Sequence, residues 1–369
     1  MKFLLISPKN RTVYNFRGEL VRSIIDKGYE VLVTGPDQTD VDRIEALGAR
    51  FVEIPMNKTG TSILGDLKYC RALRKLMKKE KPDVTLGYTI KPVVYGAIAA
   101  KLAGIKNINS MVTGGGYTFI STSFKARILG VIVRMLYRIG FACADRVIFQ
   151  NPDDLEEFSA RRLVKKKKCA VVNGSGVNTE HFSPAPYPKK TSFFMLSRLL
   201  KSKGVREYLQ AAEIVKKQYP EAEFCLLGKY ETSMQDAIPK EEIEGYIEKS
   251  IIRRFEETND VRPFYENCSV YVLPSYREGT PRTVLEAMAM GRPIITTDVT
   301  GCRSTVKDGE TGFLVPEKDG EAVAEKMLRF LQEPGLIRTM GEAGRRFAVE
   351  KYEVGAVNRS MMEIMQIQG

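Results

Sequence analysis

The sequence predicts an α/β protein made of two Rossmann-like domains facing a cleft, and three observations predict it. Short apolar strands alternate with longer helical patterns, as in parallel sheets covered by helices. The strand series stops near Val172 and restarts at Phe193. At 369 residues the chain is also too long for one hydrophobic core, and two domains are the default.

In the first half the strands read Lys2–Ser7, Glu30–Thr34, Arg50–Glu53, Val84–Gly87, Asn107–Val112, Arg146–Gln150 and Cys169–Val172. Arg17–Lys27 reads as an amphipathic helix closed by Gly28. The second half reads Phe193–Ser197, Glu223–Gly228, Val270–Pro274, Pro293–Thr297 and Gly312–Val315. Residues 174–190, with Pro184, Pro186 and Pro188, are the linker expected between a first domain 1–173 and a second domain 191–351. A C-terminal helix, 352–369, is expected to join the first domain. Ligands of such folds bind where strand C-termini face the cleft.

Composition is globular, with 43% apolar and 28% charged residues. Met1–Ile6 has one charge and a very short apolar run, which predicts a cytoplasmic protein without a signal peptide. Six cysteines (70, 143, 169, 225, 268, 302) form no C-x-x-C pair and are expected as reduced, buried thiols. Residues 1–185 hold 30 Lys and Arg against 17 Asp and Glu, whereas 186–369 hold 27 against 28. The basic half calls for an anionic partner. No helix-turn-helix, zinc spacing or aromatic RNA-binding motif accompanies it, which argues against nucleic acid.

Phe124–Phe141 is apolar but interrupted by Arg127, Arg134 and Arg138, too short a run for a membrane span. The three arginines share one helical stripe. Two readings stand: a buried helix with a solvated edge, or a helix lying on the inner leaflet with arginines among lipid phosphates.

The segment Tyr276–Met288 follows a strand and opens a helix. Gly279, Thr280, Arg282 and Thr283 therefore lie at a helix N-terminus, where backbone N–H groups and the dipole suit a diphosphate. Glu278 precedes that helix and Glu286 lies two turns inside it, so both can accept from sugar or ribose hydroxyls. Leu196–Gly204, after the first strand of the second half, carries Arg198 and Lys203. Taken alone these two read as solvated loop residues; next to a diphosphate, an Arg fork and a Lys charge can neutralise a leaving group.

These two segments resemble the signature of the family 4 retaining glycosyltransferases, which have the GT-B fold. The resemblance implies Arg198 and Lys203 on the donor diphosphate, Glu278 on the transferring sugar, Glu286 on the ribose, and Gly228 where the backbone passes the nucleotide. Asn173–Pro184 is similar to the family's interdomain segment. The N-terminal half resembles the bacterial branch that extends polyprenyl-diphosphate-linked sugars for capsule, O-antigen or protein glycans. Tyr88–Pro92 with Tyr95-Gly96, Thr113–Gly116 and Val13–Arg17 carry that likeness. It implies acceptor-side roles for Phe16, Arg17, Lys91, Thr113, Gly114, Gly115 and Gly116. It also implies that the leaving phosphate oxygen takes the acceptor proton, with no metal and no cofactor beyond the UDP-sugar donor.

The chain departs from the family at three places. Thr113 stands where many members have His, His181 where they often have Arg, and Glu256 where a Gly is usual. His181 is expected to pack at the hinge. Asp40-Val41-Asp42 matches a D-x-D metal motif but opens a helix, where acidic residues cap it. Asp153-Asp154 likewise follows Pro152 into a helix, and the glycines 114–116 lack dinucleotide-fingerprint spacing. The function expected is transfer of an N-acetylhexosamine or hexose from a UDP-sugar to a polyprenyl-diphosphate-linked sugar, by a protein peripheral on the inner face of the plasma membrane. The rivals are a sugar-nucleotide 2-epimerase and a non-catalytic basic membrane-binding protein.

Overall fold

The computed structural model describes residues 1–57, 62–114, 124–231, 234 and 236–368, with the side chains of 124–129 left aside. Two compact units account for them: residues 1–175 with 354–369, and residues 176–353.

The first unit holds β1 (Lys2–Ile6), β2 (Glu30–Gly35), β3 (Arg50–Glu53), β4 (Val84–Tyr88), β5 (Asn107–Val112), β6 (Arg146–Phe149) and β7 (Cys169–Val171). They form one sheet in the order β3-β2-β1-β4-β5-β6-β7. The second unit holds β8 (Ser192–Leu196), β9 (Glu223–Leu227), β10 (Arg253–Phe255), β11 (Val270–Leu273), β12 (Ile294–Thr297) and β13 (Gly312–Val315), ordered β10-β9-β8-β11-β12-β13. Each described pairing is parallel. Strands covered on both faces read as continuous apolar runs, and β4, β11 and β12 are buried throughout.

Several elements differ from the sequence expectation. β10 (Arg-Arg-Phe) was not anticipated, because an edge strand of three residues with two arginines carries no apolar run. A helix at Asn10–Phe16 precedes Gly18–Asp26, and the chain breaks between them at Arg17, with φ −129° and ψ 0°. Only Asn10 and Val13 of the first helix are buried, so it shows no helical apolar face. Instead Asn10 Nδ2 donates to the carbonyls of Asp37 (2.8 Å) and Thr39 (2.6 Å). Of the six free thiols only Cys268 and Cys302 are buried; the other four are half-buried.

Of the segment 174–190, residues from Gly176 onward lie in the second unit. Val177 and Phe182 enter its core, and Arg345 Nη1 donates to the carbonyls of Thr179 and Phe182. The buried guanidinium of Arg292 binds the carbonyls of Ala185 and Pro186. His181, expected to be a packing residue, is exposed, its ring edge-on to Phe182 at 5.0 Å.

Helix Val354–Ile364 returns to the first unit and packs on helix Gly18–Asp26. Met361 and Met365 are fully buried in the core on that side of the sheet, and Asn107 Nδ2 donates to Met365 O at 2.6 Å. Among the described residues no helix is long and apolar enough to cross a membrane. Because the returning helix closes one face of the first sheet, Met361→Ala should destabilise that unit by about 2–5 kcal/mol. Urea unfolding followed by circular dichroism measures this.

Candidate functional site

In both sheets the strand order reverses beside the first strand of the unit, β1 against β4 and β8 against β11. Ligands of open parallel sheets bind beyond the strand C-termini at such a switch point.

In the second unit a backbone contact brings the loops leaving β8 and β11 together. Gly204 has φ +72°, and a Cβ on it would lie 2.0 Å from the Pro274 carbonyl oxygen. Tyr276 N donates to Ser202 O at 2.9 Å across the same seam. Asp236 pins the β8 loop from the other side, its carboxylate accepting from Ser202 Oγ and its carbonyl from Lys201 N. Lys203 is thereby delivered to Glu278, with Nζ 2.5 Å from Oε1. Ser275 Oγ donates to the same oxygen at 2.8 Å. Behind Glu278, a Cβ on Gly301 would lie 2.2 Å from Glu278 O, and Glu278 N donates to Thr300 O at 3.1 Å.

Helix Arg282–Ala289 starts at the end of this loop. Its N-cap position is Pro281, whose side chain offers no cap bond, so the helix end depends on other groups for its N–H donors. Gly279 is buried at this rim, and Thr280 Oγ1 donates to Gly279 O at 2.9 Å. Thr283, half-buried in the first turn, accepts from Tyr265 OH at its carbonyl. Glu286 is buried; its Oε1 accepts from Arg282 Nε at 2.9 Å and its Oε2 from Tyr265 OH at 3.2 Å. Burial raises the Glu286 carboxyl above the usual carboxylate value, opposed by the charge and hydrogen bond of Arg282.

Two predicted donor-side residues sit apart from these ion pairs. Arg198 is exposed, its Nη1 3.4 Å from Met234 Sδ. Gly228 is buried beneath the β8 loop, where a Cβ would lie 2.2 Å from Ser197 O. Its carbonyl accepts from Arg254 Nη1 at 2.8 Å, and that guanidinium stacks 4.1 Å over Tyr230. Sequence reasoning missed Tyr265, Ser275, Asp236 and Arg254. Their residue types are ordinary, and only the fold brings them to the motif.

In the first unit Arg17 is buried with its guanidinium 5.6 Å over the Tyr88 ring. Tyr88 OH is 2.8 Å from both Ser7 Oγ and Thr12 Oγ1, which joins the ends of β1 and β4. Phe16 is exposed beside Arg17. Lys91 is not grouped with Arg17 by these contacts; its Nζ meets Asp66 Oδ1 at 2.5 Å. Thr113 and Gly114 follow β5 half-buried, Gly114 with φ +122°; Gly115 and Gly116 lie outside the described residues.

The D-x-D segment does not cap its helix through Asp40. That residue is left-handed with no side-chain cap bond, and its carboxylate accepts from Tyr14 OH at 3.0 Å. Among the described residues no three His, Cys, Asp or Glu side chains form a metal-binding group. On helix Phe124–Cys143, Arg138 is exposed and donates to the carbonyls of Arg162 and Arg161, while Arg134 is half-buried. Lys168, the last of four consecutive lysines, donates to the carbonyls of Phe141, Ala142 and Ala144 and so caps that helix.

The Glu286 environment yields a stability test. A carboxyl whose folded pKa lies above its unfolded one disfavours folding progressively as pH rises through the folded value. Glu286→Gln removes that ionisation, so its melting temperature relative to wild type should climb as pH rises above the 4.5 of an ordinary glutamate. A pH series of thermal melts checks the trend.

Residues 177–347 match the family described as glycosyl transferases group 1, and residues 2–151 match glycosyl transferase 4-like. The chain is 26% identical to the N,N'-diacetylbacillosaminyl-diphospho-undecaprenol alpha-1,3-N-acetylgalactosaminyltransferase of Campylobacter jejuni, over 91% of each chain. It is 28% identical to the UDP-Gal:alpha-D-GlcNAc-diphosphoundecaprenol alpha-1,3-galactosyltransferase of Escherichia coli, over 75% of this chain and 73% of that one. In fold it resembles sucrose-phosphate synthase from Thermosynechococcus elongatus, with a TM-score of 0.83 and 20% identity, covering 99% of this chain and 98% of that one. One match covers β1 to β6 and the other β8 to β13, and the chain is a glycosyltransferase of group 1 with a family-4-like first domain and the GT-B fold.

Proposed function

We propose that the protein moves a sugar from a UDP-sugar to a sugar carried on a polyprenyl diphosphate, with retention at the anomeric carbon. The observation that carries this reading is the gathering of Lys203, Glu278, Arg282 and Glu286 at the switch point of the second sheet, beside a helix start. The names of the Campylobacter jejuni and Escherichia coli relatives, both transferases acting on undecaprenyl-diphosphate-linked sugars, support the acceptor class.

In this reading Glu286 accepts from ribose hydroxyls and Glu278 from a hydroxyl of the sugar being transferred. Arg198, Lys203 and the rim from Gly279 through Thr280 and Arg282 to Thr283 meet the diphosphate, with Gly228 letting the nucleotide approach the backbone. The bond from the anomeric carbon to the β-phosphate oxygen breaks with its electron pair on phosphate. The acceptor oxygen bonds to the same face of that carbon, and its proton passes to the leaving phosphate oxygen. UDP and the extended lipid-linked sugar are the products. No metal and no cofactor enter. On the first unit, Phe16, Arg17, Lys91, Thr113 and Gly114 are the acceptor-side residues.

Incubation with a panel of UDP-sugars and a short polyprenyl-diphosphate-linked acceptor tests the reading. UDP release and an extended lipid are expected from one donor, at a rate unchanged by EDTA. No UDP from any donor would refute the transfer; loss of rate in EDTA restored by Mg2+ would refute its metal independence.

We further propose that the enzyme works in the cytoplasm, peripheral on the inner face of the plasma membrane. Helix Phe124–Cys143 presents Val131, Ile132, Met135 and Ile139 to solvent, each about half exposed or more, beside Arg134 and Arg138. A helix with an apolar outer face bordered by cations suits an anionic interface, at about 1 kcal/mol per basic residue near the surface. The protein should sediment with anionic vesicles and release in high salt. The double variant Ile132→Glu, Met135→Glu should stay in the supernatant while still binding UDP.

A further inference from the structure

We propose that Lys203 is shared between two anions: Glu278 holds it in the nucleotide-free protein, and the donor diphosphate takes it over on binding. Its return to Glu278 then helps to expel UDP once the sugar has left. The proposal rests on the donor assignment above and adds a direction to it.

Both partners are mostly enclosed, Lys203 at 20% and Glu278 at 16% side-chain exposure. A charge so placed is costly without a counter-charge, and each is the other's partner at 2.5 Å. The two are not equally mobile. Glu278 is fixed by Ser275 Oγ on its carboxylate, by Thr300 O on its N–H, and by the close approach of Gly301 to its carbonyl. Lys203 has a flexible four-carbon stem with a point charge at the end. When a diphosphate arrives, the ammonium is therefore the group that moves.

The intact donor and the product UDP then differ at one place. In the donor complex a sugar hydroxyl donates to Glu278, which occupies the carboxylate that Lys203 has vacated. In the UDP complex that hydroxyl is gone and the carboxylate again competes for the ammonium. Glu278 thus favours the sugar-bearing nucleotide and disfavours the bare one. A carboxylate acting only as a sugar ligand would leave UDP affinity untouched.

Calorimetry with UDP on wild type, Glu278→Gln, Lys203→Met and the double variant tests this, with circular dichroism confirming the fold of each. Glu278→Gln should bind UDP about fivefold more tightly or better, while losing transfer. Lys203→Met should bind UDP more weakly, and adding Glu278→Gln to it should change little. Glu278→Asp, which keeps the charge but withdraws it from Lys203, should shift UDP affinity in the same direction and serves if the Gln variant does not fold. Unchanged or weaker UDP binding in folded Glu278→Gln overturns the proposal. So does equal tightening in the Lys203→Met background, which would indicate direct repulsion between Glu278 and the diphosphate. If wild type neither binds UDP nor releases it from any UDP-sugar, the donor assignment itself fails, and that outcome is distinct from the others.

Discussion

The chemistry of the second unit depends on one backbone contact, Gly204 against the carbonyl of Pro274. With φ +72° and room for no Cβ, this glycine lets the loop after β8 lie directly on the loop after β11. Any L side chain there would adopt a disfavoured backbone conformation and also push the loops apart. Lys203 and Glu278 would then lose the short approach that defines the site. Gly228 against Ser197 O and Gly301 against Glu278 O repeat the device. Three glycines set the spacing of four loops, and the charged side chains inherit their positions from backbone packing.

The same principle separates what was legible in the sequence from what was not. Parallel strands buried on both faces write themselves as apolar runs, so twelve of the thirteen strands among the described residues could be read directly, with small differences at their ends. β10 could not, because it lies at the sheet edge beside β9 and keeps two arginines in three residues. Helix Asn10–Phe16 is held by the buried amide of Asn10, and no periodicity reports that. At the site, the spacing of Glu278 and Glu286 across a strand-to-helix junction was visible, as was Lys203 after β8. Tyr265, Ser275 and Asp236 were not, since each is a common residue type whose role comes from a neighbour distant in sequence or from the turn of a loop. Asp40 shows the opposite error: a helix-start position suggested a cap, but its left-handed backbone turns the carboxylate toward Tyr14.

The two units use one architecture for different chemistry. At the switch point of the first sheet, Ser7, Thr12 and Tyr88 join hydroxyls across β1 and β4, with the Arg17 guanidinium over the ring. This is a network of neutral groups around one cation. At the corresponding point of the second sheet, carboxylates and cations face each other in pairs. The first arrangement can bind by shape and hydroxyl exchange; the second can neutralise charge that grows during a reaction.

Charge placement explains why the more basic half of the chain is not the half with the charged site. In the first unit, Lys91 is matched by Asp66, and Lys168 is matched by three carbonyls at a helix end. The remaining excess is left to outward-facing side chains such as Lys165, Lys166 and Lys167. In the second unit, Lys203 is matched by Glu278 and Arg282 by Glu286, consistent with a half that holds 27 basic and 28 acidic residues. Unmatched cations gathered at one half-buried point would repel one another, whereas charges held in pairs do not. The pairing has a consequence for binding. If the donor diphosphate takes Lys203 as proposed above, it gains that cation by displacing Glu278, so this contact is worth the difference between two ion pairs and not the strength of one.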